Sequence, residues 1–194
     1  MRAVWIDAGN DPNYSKLAAY QIERVYFAAN EPRVTAAYLD NVKAQGLDVG
    51  IYAAWNWETW TPEDFAKRMH NRLLQIGSPL NPWVNLDIET HDVAWIRRAL
   101  TEWRRLRPSR KTDWTLEPMQ GGLFGVDDVR AINKLGVGIV PQHYGGNMQA
   151  FAADRVAIDL IARGFNLLAI QGFYDAARLP LDWQGYAFTQ GRLP

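Results

Sequence analysis

The chain has 194 residues, of which 48% are hydrophobic and 22% are charged, an ordinary balance for a globular domain with a sizeable core. Its 21 basic and 21 acidic side chains cancel, which argues against a dominant surface for nucleic acid or for anionic membranes. The chain contains no cysteine and no long apolar run, so the sequence excludes disulfides, thiolate metal sites and a membrane-spanning segment.

The chain begins with a short apolar segment. Residues 1–7 lack the long apolar core and the small-residue cleavage site of a secretory signal peptide, so we expect no signal peptide. Residues 3–7 instead predict a first strand that ends at Asp7. The balanced net charge gives little colloidal repulsion, which suits a subunit that assembles with other proteins or with further copies of itself.

A unit of helix, glycine and apolar strand recurs along the chain. Gly46, Gly77, Gly136 and Gly164 each follow a helical pattern, and glycine ends a helix readily because it adopts the left-handed conformation at low cost. An apolar segment follows each of them, and such alternation of helices and strands is typical of α/β folds. The predicted strands are residues 3–7, 24–29, 49–54, 83–89, 114–117, 138–141, 167–172 and 186–189.

Two intervening helices have clear sequence signals. Thr61 is the predicted N-cap of one, with Pro62 at its first helical position and with a buried stripe of Phe65, Met69, Leu73 and Ile76. The helix after His91 carries apolar residues at helical spacing, namely Ile96, Ala99, Leu100, Trp103 and Leu106. Its arginines fall mostly on the other side, at positions 97, 98, 104, 105 and 107. We expect a solvated helix face there rather than a nucleic-acid surface, and a subunit contact is the alternative.

Eight strands with helices between them predict a compact single-domain (β/α)8 barrel of the TIM type over residues 1–194. The chain is slightly shorter than usual for that fold, so its helices must be short or partly missing. A doubly wound open sheet is the alternative fold. The sequence argues against it, because residues 8–12 form a turn without the Gly-x-Gly-x-x-Gly phosphate cradle expected after the first strand.

The segment 83–89 carries the strongest functional signal. Three apolar residues, Val84, Leu86 and Ile88, alternate with three polar ones, Asn85, Asp87 and Glu89. Because side chains alternate across a strand, Asp87 and Glu89 share one face at a separation of roughly 6.5–7 Å. Paired carboxylates can divide into one ionised and one protonated group, which is the chemistry of glycoside cleavage. A strand with one solvated face is the alternative interpretation.

In a barrel the catalytic groups gather where strands end. The candidate residues predicted at or just after strand ends, besides Asn30 and Glu31, are Asp7, Tyr52, Asp87, Glu89, Glu117, Gln120, Gln142, His143, Tyr144, Gln171, Tyr174 and Gln190. Amide side chains donate and accept hydrogen bonds, which suits sugar hydroxyls, although glutamines can also simply fill a polar rim. His143 is the one histidine predicted at a strand end, so we expect no metal site, and His70 and His91 are predicted to be structural.

Three tryptophans lie in the loop predicted after the third strand. Trp55, Trp57 and Trp60 occupy six consecutive positions with Asn56, Glu58 and Thr59. Their faces are suited to stacking on sugar rings or to contact with a protein partner, and the alternative is a loop that folds over its own small core.

With Asp7 closing the first strand and residues 86–89 closing the fourth, the chain resembles the GH25 lysozyme (muramidase) superfamily of compact barrels, often encoded by bacteriophages. Residues 46–52 are also similar to that family's third strand. The resemblance implies that Glu89 is the acid/base, Asp87 its supporting acid and Asp7 the first-strand acid. Glu117 on strand five is an additional acid that departs from the family's pattern. The family's acid on the last strand has no counterpart in residues 187–190.

The whole chain also resembles glycosidase-like barrel proteins of actinobacteriophage virions, through residues 114–117, 120–124 and 187–194. This resemblance implies a virion protein at the phage tail that is assembled in the host cytoplasm. Its partners would be other virion proteins and the cell-wall polysaccharide of the host.

These resemblances predict a glycoside hydrolase that acts on bacterial cell-wall glycan and needs no cofactor. The alternative is a catalytically inactive barrel that serves as a structural, glycan-binding or receptor-binding virion module. A metabolic enzyme on the same barrel ranks third, because no glycine-rich phosphate loop follows strand seven or eight.

Overall fold

The fold is a parallel sheet covered by helices. A computed structural model describes residues 3–6, 14, 17, 23–53, 59–77, 82–88, 90–108, 111–116, 121–141 and 160–165. Six strands lie in these ranges: β1 (Ala3–Ile6), β2 (Arg24–Ala28), β3 (Asp48–Ala53), β4 (Trp83–Asp87), β5 (Thr112–Leu116) and β6 (Gly138–Pro141). They form one sheet in the order β1-β2-β3-β4-β5-β6, and every neighbouring pair is parallel.

Four helices with defined bounds lie between these strands in the described ranges. They are α1 (Ala36–Lys43), α2 (Pro62–Ile76), α3 (Val93–Leu106) and α4 (Val126–Lys134). The Thr61 Oγ1 atom accepts a hydrogen bond from the backbone N–H of Asp64 at 3.1 Å, which confirms the predicted N-cap of α2. The predicted stripe of α2, Phe65, Met69, Leu73 and Ile76, is buried as expected.

All four predicted helix-ending glycines have positive φ. The φ angles of Gly46, Gly77, Gly136 and Gly164 are 89°, 65°, 64° and 90°. Gly77 is itself the C-cap of α2, and its N–H donates to the carbonyl oxygen of Leu73. The chain can therefore leave α2 within one residue and turn towards β4, because glycine has no Cβ to obstruct the left-handed conformation.

The two faces of the sheet differ in chemistry. The outer face carries apolar residues such as Val25, Ile51 and Leu86, which pack with the buried sides of the helices into one core. Trp103 of α3 belongs to this core, and its Nε1 atom donates to Thr112 Oγ1 of β5 at 2.9 Å. The inner face is polar and includes Tyr26 of β2 and Asp113 of β5, which are joined by a hydrogen bond. Function is therefore to be sought on the inner face.

The sequence predictions agree with this α/β fold and differ from it in detail. β5 begins at Thr112 rather than at residue 114. Asp113 can lie within the strand because its buried carboxylate accepts a hydrogen bond from Tyr26 on the inner face. β3 begins at Asp48 rather than at residue 49, and β4 and β1 are described to Asp87 and Ile6. The strands predicted at 167–172 and 186–189 lie outside the described residues.

The strand order separates the two predicted folds. A doubly wound sheet reverses its strand order near the first strand, whereas the six described strands follow one another without reversal. Sequential parallel order is also the arrangement of TIM-type barrels, and the described residues show six parallel strands rather than a closed ring of eight. Within the described ranges, no helix is long and apolar enough to cross a membrane.

Candidate active site

The predicted alternation along β4 is confirmed. Val84, Leu86 and Ile88 are fully buried in the core on the outer face, so Asn85 and Asp87 lie on the inner face. Asp87 is the last residue of β4 and is half-buried. It therefore lies at the carboxyl edge of the sheet, where barrel enzymes hold their catalytic groups.

Asn85 lies one inner-face position below Asp87. Its side chain is fully buried, and its Oδ1 atom accepts a hydrogen bond from Thr115 Oγ1 of β5 at 2.9 Å. Among the residues that the structure describes, the Asn85 Nδ2 atom has no hydrogen-bond partner. Tyr52 of β3 is level with Asn85 in the strand register and is 8% exposed. The structure thus brings the predicted residues Tyr52 and Asp87 to neighbouring strands.

Most of the other predicted site residues lie outside the described part of the chain. These are Asp7, Trp55, Trp57, Glu89, Glu117, Gln120, Gln142, His143, Tyr144, Gln171, Tyr174 and Gln190. Their roles stay predictions. In the described ranges, no group of three or more His, Cys, Asp or Glu side chains could hold a metal ion.

Trp60 is the described member of the tryptophan loop. Its ring is partly buried and packs against the core, and its carbonyl oxygen accepts a hydrogen bond from Trp95 Nε1 at 3.2 Å. The guanidinium carbon of Arg68 lies 4.5 Å from the centre of its ring. Trp60 is thus held in place by the core while retaining an exposed portion.

A buried polar network that the sequence analysis did not identify fills the amino-terminal end of the inner face. Arg24 Nη1 donates to Tyr26 OH at 3.0 Å and to Asp113 Oδ2 at 3.3 Å, and Arg24 Nε donates to Asp48 Oδ2 at 3.3 Å. The Tyr26 hydroxyl also donates to Asp113 Oδ2. The Arg24 guanidinium carbon lies 3.7 Å from the ring centre of Trp83. The sequence feature that could have predicted this network is the alternation of polar Asp113 and Thr115 with apolar Trp114 and Leu116.

Burial sets the protonation of this network. Removal from water raises the pKa of Asp113 to about 6, although the Tyr26 hydrogen bond and the Arg24 charge act in the opposite direction. Burial, followed by the charge of Asp113, raises the pKa of Tyr26, so its hydroxyl stays protonated and remains a donor. The network lies at the amino ends of the strands, where barrel residues usually support stability rather than catalysis.

Gly50 provides the space for Tyr26. Tyr26 and Gly50 are level in the register of β2 and β3, and a Cβ atom at position 50 would overlap the Tyr26 ring. The absence of a side chain on β3 therefore allows the ring to lie across the inner face and reach Asp113.

His70 and His91 do not contribute to the inner face. Arg107 Nε donates to the Nδ1 atom of His70 at 3.0 Å, and burial together with the Arg107 charge lowers the pKa of His70. His91 is exposed just before the N-cap Asp92 of α3. The contact with Arg107 agrees with the structural role predicted for His70, and the role of His91 stays a prediction.

The described strands and helices form an α/β fold with a sequential parallel sheet. No protein-family model matches the chain, and no curated protein matches it by sequence. Similar solved structures nevertheless exist, and the three compared below are each under 20% identical, so the likeness concerns the fold alone.

Two of these structures are chitinases. Active domain 2 of a thermostable chitinase from Pyrococcus furiosus matches with a TM-score of 0.61 and 18% identity, over 98% of this chain and 80% of that one. A chitinase from Rhizomucor miehei matches with a TM-score of 0.55 and 10% identity, over 88% of this chain. The third structure is a proposed deoxyribose-phosphate aldolase from Toxoplasma gondii, with a TM-score of 0.50 and 16% identity over 83% of this chain. The chain spans 66% of the length of the last two proteins.

Proposed function

We propose that the protein is a glycoside hydrolase that cleaves bacterial cell-wall glycan. The observation that carries this proposal is the position of Asp87, on the polar inner face and at the carboxyl edge of a parallel sheet. The barrel-like fold shared with two chitinases supports the same class of reaction.

The proposed mechanism uses the acids predicted at the strand ends. Glu89 follows Asp87 by two positions, so continued alternation would place it on the same side, where it donates the proton to the leaving oxygen. Asp87 or Glu117 acts as nucleophile or stabiliser, and Asp7 adjusts their charge. Carboxyl groups about 5–5.5 Å apart would retain the anomeric configuration, and groups about 6.5–9.5 Å apart would invert it.

The substrate class is an amino-sugar polysaccharide. The structure of the Pyrococcus furiosus chitinase contains chito-oligosaccharides, which are chains of N-acetylglucosamine. Bacterial wall glycan contains the same sugar, so one barrel architecture can serve both polymers. We assign Tyr52, on the strand beside Asn85, to the sugar-binding wall of the site.

Glu89→Gln tests the proposal directly. This change removes the acid while keeping the side-chain shape, so release of new reducing ends from purified bacterial wall glycan should fall by at least about 100-fold. Glu102→Gln is the matched control, because Glu102 pairs with Arg105 on the outer surface of α3, and that variant should retain activity. Circular dichroism would confirm that both variants fold.

The inactive-barrel alternative has a separate outcome in the same assay. If the folded native chain released no reducing ends from several wall types, the glycosidase proposal would be wrong. The low identity to the chitinases favours keeping this alternative, since a shared fold does not fix function. The barrel would then act by binding glycan or a receptor through the loop of Trp55, Trp57 and Trp60.

We further propose that the protein works in a bacteriophage particle, at the tail, in contact with other virion proteins. The resemblance of residues 114–117, 120–124 and 187–194 to actinobacteriophage barrel proteins supports this location. Mass spectrometry of purified particles should then detect peptides of this chain in constant proportion to tail proteins. Peptides found solely in the lysate and lost on particle purification would contradict the proposal.

A further inference from the structure

An open groove lies on the outer surface of the protein, away from the inner face. We call it the Trp60 groove, and it is lined by Trp60, Arg68, Asn71, Arg72 and Gln75. The last four recur at helical spacing on α2, beside its buried stripe, so they form one continuous strip of that helix. Its described lining contains two guanidinium groups, two amides and an aromatic ring, without a carboxylate among these residues.

The charge of Arg68 is available to a ligand. Other exposed arginines are neutralised within the protein, through the pairs Arg97–Asp128, Arg98–Glu63, Arg105–Glu102 and Arg130–Asp127. Arg68 is also exposed, but no carboxylate of the described residues lies within ion-pair distance of it, and its contact is with the Trp60 ring. A guanidinium in this position can bind a carboxylate through two parallel hydrogen bonds.

The two ends of the Trp60 groove are held rigidly. Arg72 donates hydrogen bonds to the carbonyl oxygens of Ala29, Glu31 at 2.8 Å and Val34 at 3.2 Å, which ties α2 to the loop between β2 and α1. Trp60 is anchored by the core and by the hydrogen bond from Trp95. A ligand would therefore meet preformed walls, and binding would cost less ordering entropy.

The lining identifies the chemical class of the ligand. The partly exposed Trp60 ring offers an apolar surface to the C–H groups of a sugar, and Asn71 and Gln75 are exposed amides that can donate to and accept from hydroxyls. The uncompensated charge of Arg68 favours an anionic group. We propose that the Trp60 groove binds a saccharide that carries a carboxylate, at a site separate from the candidate active site.

Two probes differ in one substituent. N-acetylmuramic acid has the ring of N-acetylglucosamine with an added lactyl ether that ends in a carboxylate, and Arg68→Gln isolates the contribution of the charge. In a nitrogen–proton NMR titration, N-acetylmuramic acid should shift the Trp60 indole and Arg68 Nε signals with an affinity at least about fivefold above that of N-acetylglucosamine. Trp60→Phe assigns the indole signal.

Arg68→Gln should abolish this preference, because it removes the charge and keeps a long polar side chain. Arg98→Gln is the control, since Arg98 is an exposed arginine that pairs with Glu63 outside the groove, and it should keep the full preference. Equal affinity for both sugars, or a preference that survives Arg68→Gln, would overturn the proposal. Equal binding of N-acetylglutamate would overturn its saccharide part, because the groove would then recognise carboxylates on peptides as well.

Ligand binding in the Trp60 groove does not require catalysis. The probe sugar occurs in the wall glycan of the proposed function, and the titration measures its binding at Trp60 and Arg68. Loss of reducing-end release in Glu89→Gln with intact NMR shifts would separate the active site from the groove. If the native chain is active but shows no such shifts, the glycosidase proposal stands and the proposed saccharide binding in the groove is wrong.

Discussion

Burial changes the protonation equilibrium of a single residue, Asp113. It is fully buried, and its Oδ2 atom receives hydrogen bonds from Tyr26 and Arg24, while its Oδ1 atom has no partner among the described residues. The cost of burying its charge is larger than the gain from these partners, because its pKa rises to about 6 rather than falling. A proton on Asp113 therefore stabilises the folded protein.

The pH dependence of stability should report this proton. The folded pKa of about 6 exceeds the usual 3.8, so folded Asp113 binds more protons than unfolded Asp113 between these values. Its stabilising contribution is complete below about pH 4, falls as the pH rises to about 6, and is constant above that. Asp113→Asn does not titrate, so the free energy of unfolding of the native chain should fall relative to this variant by on the order of 2–3 kcal/mol from pH 4 to pH 7.

Denaturant unfolding of the native chain and Asp113→Asn at several pH values measures this difference. Asp40→Asn is the control for the loss of one carboxylate, because Asp40 is exposed on α1 and lies outside the buried network. A difference between the native chain and Asp113→Asn that stays constant from pH 4 to pH 7 would show that Asp113 is ionised throughout.

At the scale of elements, the arginines of α3 act as connectors between helices. Arg98 Nη2 lies 2.8 Å from Glu63 of α2, and Arg97 Nη1 lies 2.8 Å from Asp128 of α4. Arg104 donates to the carbonyl oxygen of Gly136, beyond the end of α4. These partners agree with the expected solvated helix face and leave little free charge for a nucleic acid. Solvent screens these exposed pairs, so the shared core holds the helices together.

At the scale of the whole molecule, the described sheet has two edges. β1 and β6 each pair with one described neighbour, β2 and β5 respectively. Exposed edges of a parallel sheet leave backbone groups unpaired and invite aggregation, which closure into a barrel avoids. The strands predicted from the sequence at 167–172 and 186–189 are those that would join the two edges.

Hydrogen exchange can test this closure. If residues 167–172 and 186–189 complete the barrel, their backbone amides should exchange slowly, at rates approaching those of the central strands β3 and β4. The exposed backbone amide of Asn30, in the turn that follows β2, supplies the fast reference. Exchange at the rate of this turn in both segments would show that the sheet stays open.

Helix ends and strand alternation could be predicted from the sequence alone. The N-cap at Thr61, the helix end at Gly77 and the alternation along β4 depend on residues within about one helical turn of each other, so short patterns were sufficient to predict them. The same patterns determined the α/β class and the acid at the end of β4.

The tertiary structure alone decided which distant residues meet. Arg24 and Asp113 are 89 positions apart, and they meet because β2 and β5 contribute to the same inner face. The Trp60 groove likewise required α2 to expose the strip beside its buried stripe. No local pattern encodes such contacts, because strand order and packing bring them about after each element has formed.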